Sequence, residues 1–376
     1  MLIQGLLSLG GGFGNLQPSN AVMIIVGCAL LYLAIQRDME PLLLIPIGFG
    51  AILVNIPLAG MMEQGGLLRY FYESGVLTEI FPCLIFIGIG AMTDFGPLLE
   101  NPRILLLGGA GQFGIFLTLL LALFLGFSRL ESVAIGIIGA CDGPTAIYVT
   151  SKFAPHMLGA VSVAAYCYMS LVPIIQPPLM RAFTSLEERR IVMKYERKAV
   201  SRPLKIIFPI SVTLITCLIA PMGTPLMGTL MLGNLLRESG VADRLVRASQ
   251  NEIANVVTLL LGISIGATMA GPVFLKKETL VVLGLGLLAI CLDTIAGLYL
   301  AKLMKILSGG KVNPLIGAAG ISAFPMSARV VQTEGQRANR KSYLLMHAMG
   351  ANTGGQIGSV LAAAVMLSIL KGMGAL

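Results

Sequence analysis

Charged side chains are scarce in this chain of 376 residues, in which Asp, Glu, Lys and Arg together make up only 12%. A soluble domain carries about 25%, so the composition excludes an ordinary soluble fold. Hydrophobic residues supply 56% of the sequence, and the mean hydropathy is +0.87. Because these residues form long apolar segments, we predict an all-α polytopic membrane protein.

The chain also lacks the usual residue patterns of metal and nucleotide sites. It has two histidines far apart, and its six cysteines show no CxxC pair or other metal spacing. A transition-metal site is therefore excluded, and the cysteines are interpreted as reduced residues in apolar segments. There is no Walker A sequence, so ATP is not the expected energy source. Nothing in the sequence resembles a nucleic-acid-binding module.

Basic residues are concentrated in one polar connection near the middle of the chain. They are Arg181, Arg189, Arg190, Lys194, Arg197, Lys198, Arg202 and Lys205. By the positive-inside rule this connection is cytoplasmic, and we expect a multi-pass membrane protein. Residues 1–20 show neither the basic region nor the cleavage site of a signal peptide, and we expect a short interfacial segment there.

Apolar segments fall into two groups of six, one on each side of this connection. Ile87-Gly-Ile-Gly-Ala91 resembles Ile263-Ser-Ile-Gly-Ala267, and Ile135-Gly-x-x-Gly139 resembles Ile316-Gly-x-x-Gly320. The offsets, 263 − 87 = 176 and 316 − 135 = 181, are nearly constant, which indicates an internal repeat. We divide the chain into an interfacial segment 1–20, a first transmembrane repeat 21–180, the basic connection 181–203 and a second repeat 204–376.

Each group contains one segment that glycine and proline interrupt, at 133–154 and 313–332. Interrupted segments in corresponding places of two halves indicate a transporter binding site. If each broken segment is re-entrant, every half crosses the membrane about five times, and an odd number makes the two repeats inverted. This tracing leaves most of the 26 Lys and Arg residues on the cytoplasmic side, and it leaves the side of the N-terminus open.

Asp142 is the first candidate site residue, because it stands in an apolar stretch and is followed directly by Gly143 and Pro144. An intramembrane carboxylate is costly unless it is paired. The Gly-Pro pair is expected to interrupt a helix and free backbone carbonyls beside the acid. Carboxylate and carbonyl oxygens together suit a small hard cation. The alternative is a structural hydrogen-bond or ion-pair partner.

The second broken segment contributes Ser322 and Arg329. In the repeat alignment Ser322 falls opposite Cys141, next to Asp142, so the second segment offers a hydroxyl oxygen where the first offers a carboxylate. Arg329 lies in an apolar run and is expected to need an anionic partner, or else to extend to the cytoplasmic surface. Six further polar residues or groups are weaker candidates: Tyr166 and Tyr168 as phenolic oxygens, the stretch 352–356 as amide and hydroxyl oxygens, Asp293 as a secondary acid, Asp94 as a loop residue and His347 as a packed residue.

Three stretches carry a resemblance to a known family, namely 139–145 (Gly-Ala-Cys-Asp-Gly-Pro-Thr), 171–178 (Leu-Val-Pro-Ile-Ile-Gln-Pro-Pro) and 313–329. They resemble the β subunit of the sodium-pumping, biotin-dependent decarboxylases of oxaloacetate, methylmalonyl-CoA and glutaconyl-CoA. The resemblance covers essentially the whole chain. Cys141 departs from it, since alanine or glycine is expected there, but the change is small.

This resemblance implies a subunit that decarboxylates carboxybiotin, releases CO2, consumes a proton and exports Na⁺. It implies catalytic roles for Arg329, Tyr168 and Asn313, contacts of Arg329 and Asn313 with carboxybiotin, and Na⁺ binding by Asp142, Ser322, Asn352 and Gly317, with the ion at Asp142 and Ser322. Only the resemblance favours Tyr168 over Tyr166. The implied partners are a carboxyltransferase subunit, a biotin carrier protein that bears the biotin, a small membrane-anchor subunit and further copies of this chain.

A Na⁺- or H⁺-coupled secondary transporter without carboxybiotin chemistry is the alternative function. Inverted repeats and broken helices are equally expected in that class, so architecture does not separate the two. Specificity for the parent acid is expected to reside on another subunit.

Overall fold

The computed structural model describes residues 11–194 and 200–374. Within these ranges every regular element is helical and no β-strand is present, which confirms the predicted all-α class. Residues 1–10 of the expected interfacial segment, and Arg197 and Lys198 of the basic connection, lie outside the described residues. The described part of the N-terminal segment holds a short helix, Gly11–Gly14, and the beginning of the first long helix.

The first half of the chain forms seven principal helices among the residues described. They are α1 (Pro18–Gln36), α2 (Pro41–Val54), α3 (Ile80–Met92), α4 (Pro102–Phe124), α5 (Arg129–Gly136), α6 (Gly143–Phe153) and α7 (Leu158–Phe183). Proline stands in the first turn of α1, α2, α4 and α6. There its missing N–H leaves no intrahelical hydrogen bond unmade.

The second half continues with six principal helices in the described ranges. They are α8 (Arg202–Ile219), α9 (Thr224–Ser239), α10 (Ala254–Ala267), α11 (Lys277–Leu307), α12 (Met326–Ala338) and α13 (Leu345–Gly372). By length and composition, six of the described helices can cross a membrane, or seven if Leu67–Val76 and α3, which meet at 61°, count as one span. The chain therefore has the make-up of a multi-pass membrane protein.

The two halves interlock through their second and third helices. α2 packs against α10 of the other half, and α3 packs against α9. Glycines permit this close approach, because a Cβ on Gly90 would collide with the carbonyl oxygen of Leu230 and one on Gly266 with that of Ile47. We call this group of helices, with α1 and α8, the interlocked bundle.

The two broken segments lie in a second group, formed by α4, α7, α11 and α13. α11 packs against both α7 and the short helix Pro314–Gly320 of the second broken segment, while α13 packs against α4 and against the same short helix. Residues 132–151 and 313–323 are buried throughout. Polar groups at the breaks are therefore shielded from lipid by protein, which is the condition under which irregular backbone is tolerated at membrane depth.

Candidate functional site at the two helix breaks

The first break places the Asp142 carboxylate at the beginning of a helix. After α5 the chain makes a short 3₁₀ turn, Ile137–Ala140, and Cys141 then takes a left-handed backbone conformation with φ of 51°. This conformation costs a non-glycine residue about 1–2 kcal/mol. The break thus precedes Asp142, whereas the sequence predicted it at the following Gly-Pro pair. Proline does not interrupt the helix here, because it occupies the first turn of α6.

Neutral groups hold the Asp142 side chain, which is only 3% exposed. Its Oδ2 accepts hydrogen bonds from the Thr145 hydroxyl at 2.6 Å and from the Ser359 hydroxyl at 3.1 Å. Within the described residues no Lys, Arg or His forms a salt bridge with it. Removing a carboxylate from water without a counter-charge is strongly unfavourable, so this arrangement suits a group that receives a cation.

The second break lies directly against the first. The backbone N–H of Ser322 donates to the carbonyl of Ala140 at 3.2 Å, so the two broken segments are in direct contact. The Ser322 hydroxyl is turned toward α13 and donates to the Gly355 carbonyl at 2.8 Å. An acid and a hydroxyl from sequence positions 180 residues apart (322 − 142) are thereby brought to one place.

One face of α13 holds both breaks in position. The Asn352 amide donates to the Ile321 carbonyl at 2.6 Å, the Gln356 amide donates to the Ser322 carbonyl at 2.7 Å, and Ser359 reaches Asp142. Spacings of four and three residues place these side chains on the same side of a helix. Ser359 and Thr145 were not predicted, although the polar series 352, 356, 359 in an apolar helix is a signal that the sequence contains.

A cavity of about 370 Å³ lies between the breaks and the interlocked bundle. Its polar lining residues are Asp142, Ser322, Tyr166 and Gln356 at the breaks and Thr258 on α10. Its apolar wall includes Leu43, Ile85, Ile89 and Met92 from α2 and α3, together with Met169, Phe324 and Pro325. A cavity that is mostly apolar with a few convergent polar groups is the usual form of a small-ligand site.

Sequence comparisons identify the family. The family described as "Na+-transporting oxaloacetate decarboxylase beta subunit" matches residues 19–370. The chain belongs to this family. It is 54% identical over 360 residues to the methylmalonyl-CoA decarboxylase subunit beta of Veillonella parvula, covering 96% of this chain and 95% of that protein. It is 52% identical to the glutaconyl-CoA decarboxylase subunit beta of Acidaminococcus fermentans (96% and 96%) and 45% identical to the oxaloacetate decarboxylase beta chain of Klebsiella pneumoniae (99% and 99%).

The two tyrosines of α7 face different parts of this β subunit. Tyr166 lines the cavity beside Asp142. Tyr168 does not line it, and its hydroxyl instead donates to the carbonyl of Leu283 in α11. Residues two apart on a helix point in nearly opposite directions. The phenol that lies beside the acid in the cavity wall is therefore that of Tyr166.

Two of the predicted site residues have structural contacts instead. The Asn313 amide donates to the carbonyls of Arg189 and Ile191 at 3.0 and 2.8 Å, and its Oδ1 accepts from Leu315 N. Asn313 therefore ties the basic connection to the second broken segment and is not part of the cavity wall. Gly317 packs so closely on Gly297 of α11 that a Cβ on either would meet the other's carbonyl oxygen. Close packing against α11 is therefore a sufficient reason for glycine at this position.

The remaining predicted residues lie outside the cavity. Arg329, in the first turn of α12, is exposed, and within the described part of the chain no acidic side chain pairs with it. Asp94 accepts from the backbone N–H of Gly96 at 2.8 Å, as expected of a loop residue. Asp293 is fully buried and accepts from the backbone N–H of Gly114.

Proposed function

We propose that this chain is the membrane subunit of a Na⁺-translocating decarboxylase, which decarboxylates carboxybiotin and couples the release of CO2 to Na⁺ export. Membership of the β-subunit family supports this function over a secondary transporter without such chemistry. The observation that carries the ion-binding part is Asp142, a buried carboxylate held by neutral groups where two broken segments meet. We assign Na⁺ to Asp142 and Ser322.

The subunit is proposed to work in a larger complex of the bacterial cytoplasmic membrane. Its partners would be a carboxyltransferase subunit, a biotin carrier protein that brings carboxybiotin, a small membrane-anchor subunit and other copies of this chain. The names of the relatives, each a β subunit or β chain of a decarboxylase, support a multi-subunit assembly.

We further propose that the halves are inverted repeats of about five crossings and one broken segment each. The reciprocal packing of α2 on α10 and of α3 on α9 supports this arrangement. Equivalent asparagines also make equivalent contacts, since Asn55 donates to the Met269 carbonyl at 2.9 Å and Asn234 to the Thr93 carbonyl at 3.0 Å.

Alternating access would come from movement of the second group of helices against the interlocked bundle. Met92, in the cavity wall, lies at the end of α3, where its carbonyl accepts from Arg237 at 3.1 Å. The positive-inside rule assigns that basic end to the cytoplasm. Glu79, directly before α3, forms an ion pair with Lys152 of α6 at 2.9 Å. This pair joins the two groups of helices and would close the outer end of the cavity. We therefore propose that the cavity faces the cytoplasm.

The chemistry requires heterolysis of the bond between the biotin ureido nitrogen and the carboxyl carbon. The electron pair stays on nitrogen, which takes up one proton, and CO2 leaves. Arg329, exposed at the end assigned to the cytoplasm, is proposed to bind the carboxylate or the biotin carbonyl. Tyr168 is proposed to relay the proton between α7 and α11. Moving one charge against 100 mV costs about 2.3 kcal/mol, which decarboxylation is proposed to supply for one or two ions.

Avidin tests the proposed function directly. The complete complex, reconstituted in vesicles and supplied with the parent substrate, is expected to lose Na⁺ uptake when avidin is added on the substrate side, because the biotin carrier can no longer deliver carboxybiotin. Avidin saturated beforehand with free biotin is the matched control and should have no effect. Na⁺ uptake that persists under free avidin would instead support a secondary transporter.

Ser322→Ala is expected to raise the Na⁺ concentration for half-maximal activity roughly tenfold, since one neutral oxygen near the ion is lost. Turnover at saturating Na⁺ should change much less. Ser327→Ala is the matched control, because Ser327, in the first turn of α12, is also buried but donates to the Ala323 carbonyl at 3.3 Å. Equal Na⁺ dependence in the two variants would remove Ser322 from the ion site. The measurement is the rate of decarboxylation as a function of Na⁺ concentration.

A further inference from the structure

We propose that Tyr166 and Gln356 supply oxygen ligands to the cation held at Asp142, which adds two residues to the site. This inference rests on the proposed function, because the cation is the one that the pump transports. The ligand set would consist of one carboxylate and neutral oxygens, the donor type that small hard cations prefer. The argument comes from three features of the cavity: the position of the Tyr166 ring, the orientation of the Gln356 amide and the charge of the wall.

The Tyr166 ring lies against the backbone next to Asp142. A Cβ built on Gly143 would overlap the ring and lie 2.7 Å from its hydroxyl oxygen. This hydroxyl is fully buried, and it makes no hydrogen bond with any residue in 11–194 or 200–374. A buried hydroxyl without a partner is unfavourable. Its place in the cavity wall makes it available to a ligand that occupies the cavity.

Gln356 presents an oxygen to the same cavity. Its amide nitrogen donates to the Ser322 carbonyl at 2.7 Å, which fixes the amide orientation because a rotated amide would place two oxygens against each other. Oε1 is buried and has no hydrogen-bond partner among the described residues. The contact that holds the second break thus leaves one amide oxygen for a ligand.

Charge restricts what this ligand can be. Asp142 is the one acidic side chain among the described residues that line the cavity. Its hydrogen bonds come from the hydroxyls of Thr145 and Ser359 and from the Thr145 backbone. A monovalent cation balances that single charge, whereas a divalent cation would leave a net positive charge in a buried site. Neutral oxygens from Tyr166 and Gln356 complete the shell without a second buried charge, which would add to the desolvation cost.

Tyr166→Phe tests this assignment because it removes one oxygen and keeps the ring. In the purified complete complex, Na⁺ is expected to raise the unfolding temperature of the wild-type β subunit relative to choline. The variant should need roughly tenfold more Na⁺ for the same rise and for half-maximal activity. Tyr168→Phe loses the same atom two residues away, outside the cavity, and should retain the wild-type Na⁺ dependence of unfolding.

Gln356→Leu provides a second, independent test with the same two measurements. It is expected to shift the Na⁺ dependence in the same direction. If the Tyr166→Phe complex does not assemble, the result for Gln356→Leu tests whether cavity oxygens bind the cation. Wild-type Na⁺ dependence in an assembled Tyr166→Phe complex would remove Tyr166 from the shell. If Asp142→Asn also retained wild-type Na⁺ dependence, the proposed ion site itself would be wrong. The Asp142 variant thus distinguishes failure of the ion site from failure of the two added ligands.

Discussion

Asp142→Asn is expected to abolish Na⁺-dependent decarboxylation of carboxybiotin and Na⁺ transport while the β subunit still inserts and assembles. The amide keeps the size of the side chain and can still accept hydrogen bonds from Thr145 and Ser359, so folding should survive. It cannot balance the charge of a buried cation. Removing one member of a buried charge pair costs about 3–5 kcal/mol, which corresponds to a loss of over roughly a hundredfold.

The measurement is ²²Na⁺ uptake into vesicles that contain the complete complex, together with the rate of CO2 release. Asp94→Asn is the matched control, because it makes the same chemical change in the same repeat, at a half-buried side chain that lies outside the cavity and 3.7 Å from Arg237. Its amide oxygen can still accept from the backbone of Gly96. Near-normal transport by Asp142→Asn would remove Asp142 from the ion site.

Arg329→Lys is expected to lower turnover by about tenfold to a hundredfold, while the Na⁺ concentration for half-maximal activity moves little. Lysine keeps the charge but loses the planar pair of donors that binds a carboxylate. A hydrogen bond to a charged group is worth about 1.5–3 kcal/mol. Arg329 is exposed and lies one turn after Phe324 and Pro325 of the cavity wall, so it can meet a substrate brought by a partner subunit.

Steady-state kinetics with varied Na⁺ and varied carrier separate binding of the ion from binding of carboxybiotin. Arg337→Lys serves as the control on the same helix, because Arg337 already pairs with the buried carboxylate of Glu334. A collapse of Na⁺ affinity in Arg329→Lys, with turnover intact, would show that the residue acts on the ion and not on biotin.

The predicted residues that lie at the site share a property that the sequence displays directly. Asp142, Ser322 and the 352–356 stretch are polar groups in apolar surroundings, and such groups must turn toward one another to avoid lipid. Asn313 and Gly317 were predicted from the family resemblance alone. A resemblance indicates that a position is important but does not give the physical reason. Their contacts, one with the basic connection and one with α11, are structural.

The composition determined that the chain is an all-α protein of a membrane, because apolar segments of this length leave the backbone no other way to satisfy its hydrogen bonds there. Glycine and proline in corresponding places indicated which two segments are broken, although the first break precedes the Gly-Pro pair instead of falling on it. Only the tertiary structure decided which side chains meet. The choice between Tyr166 and Tyr168 depends on the rotation of α7 about its axis, and that rotation is set by packing against α11 and the breaks. The contact of Ser359 with Asp142 likewise depends on helices that are distant in sequence, so no local pattern could specify it.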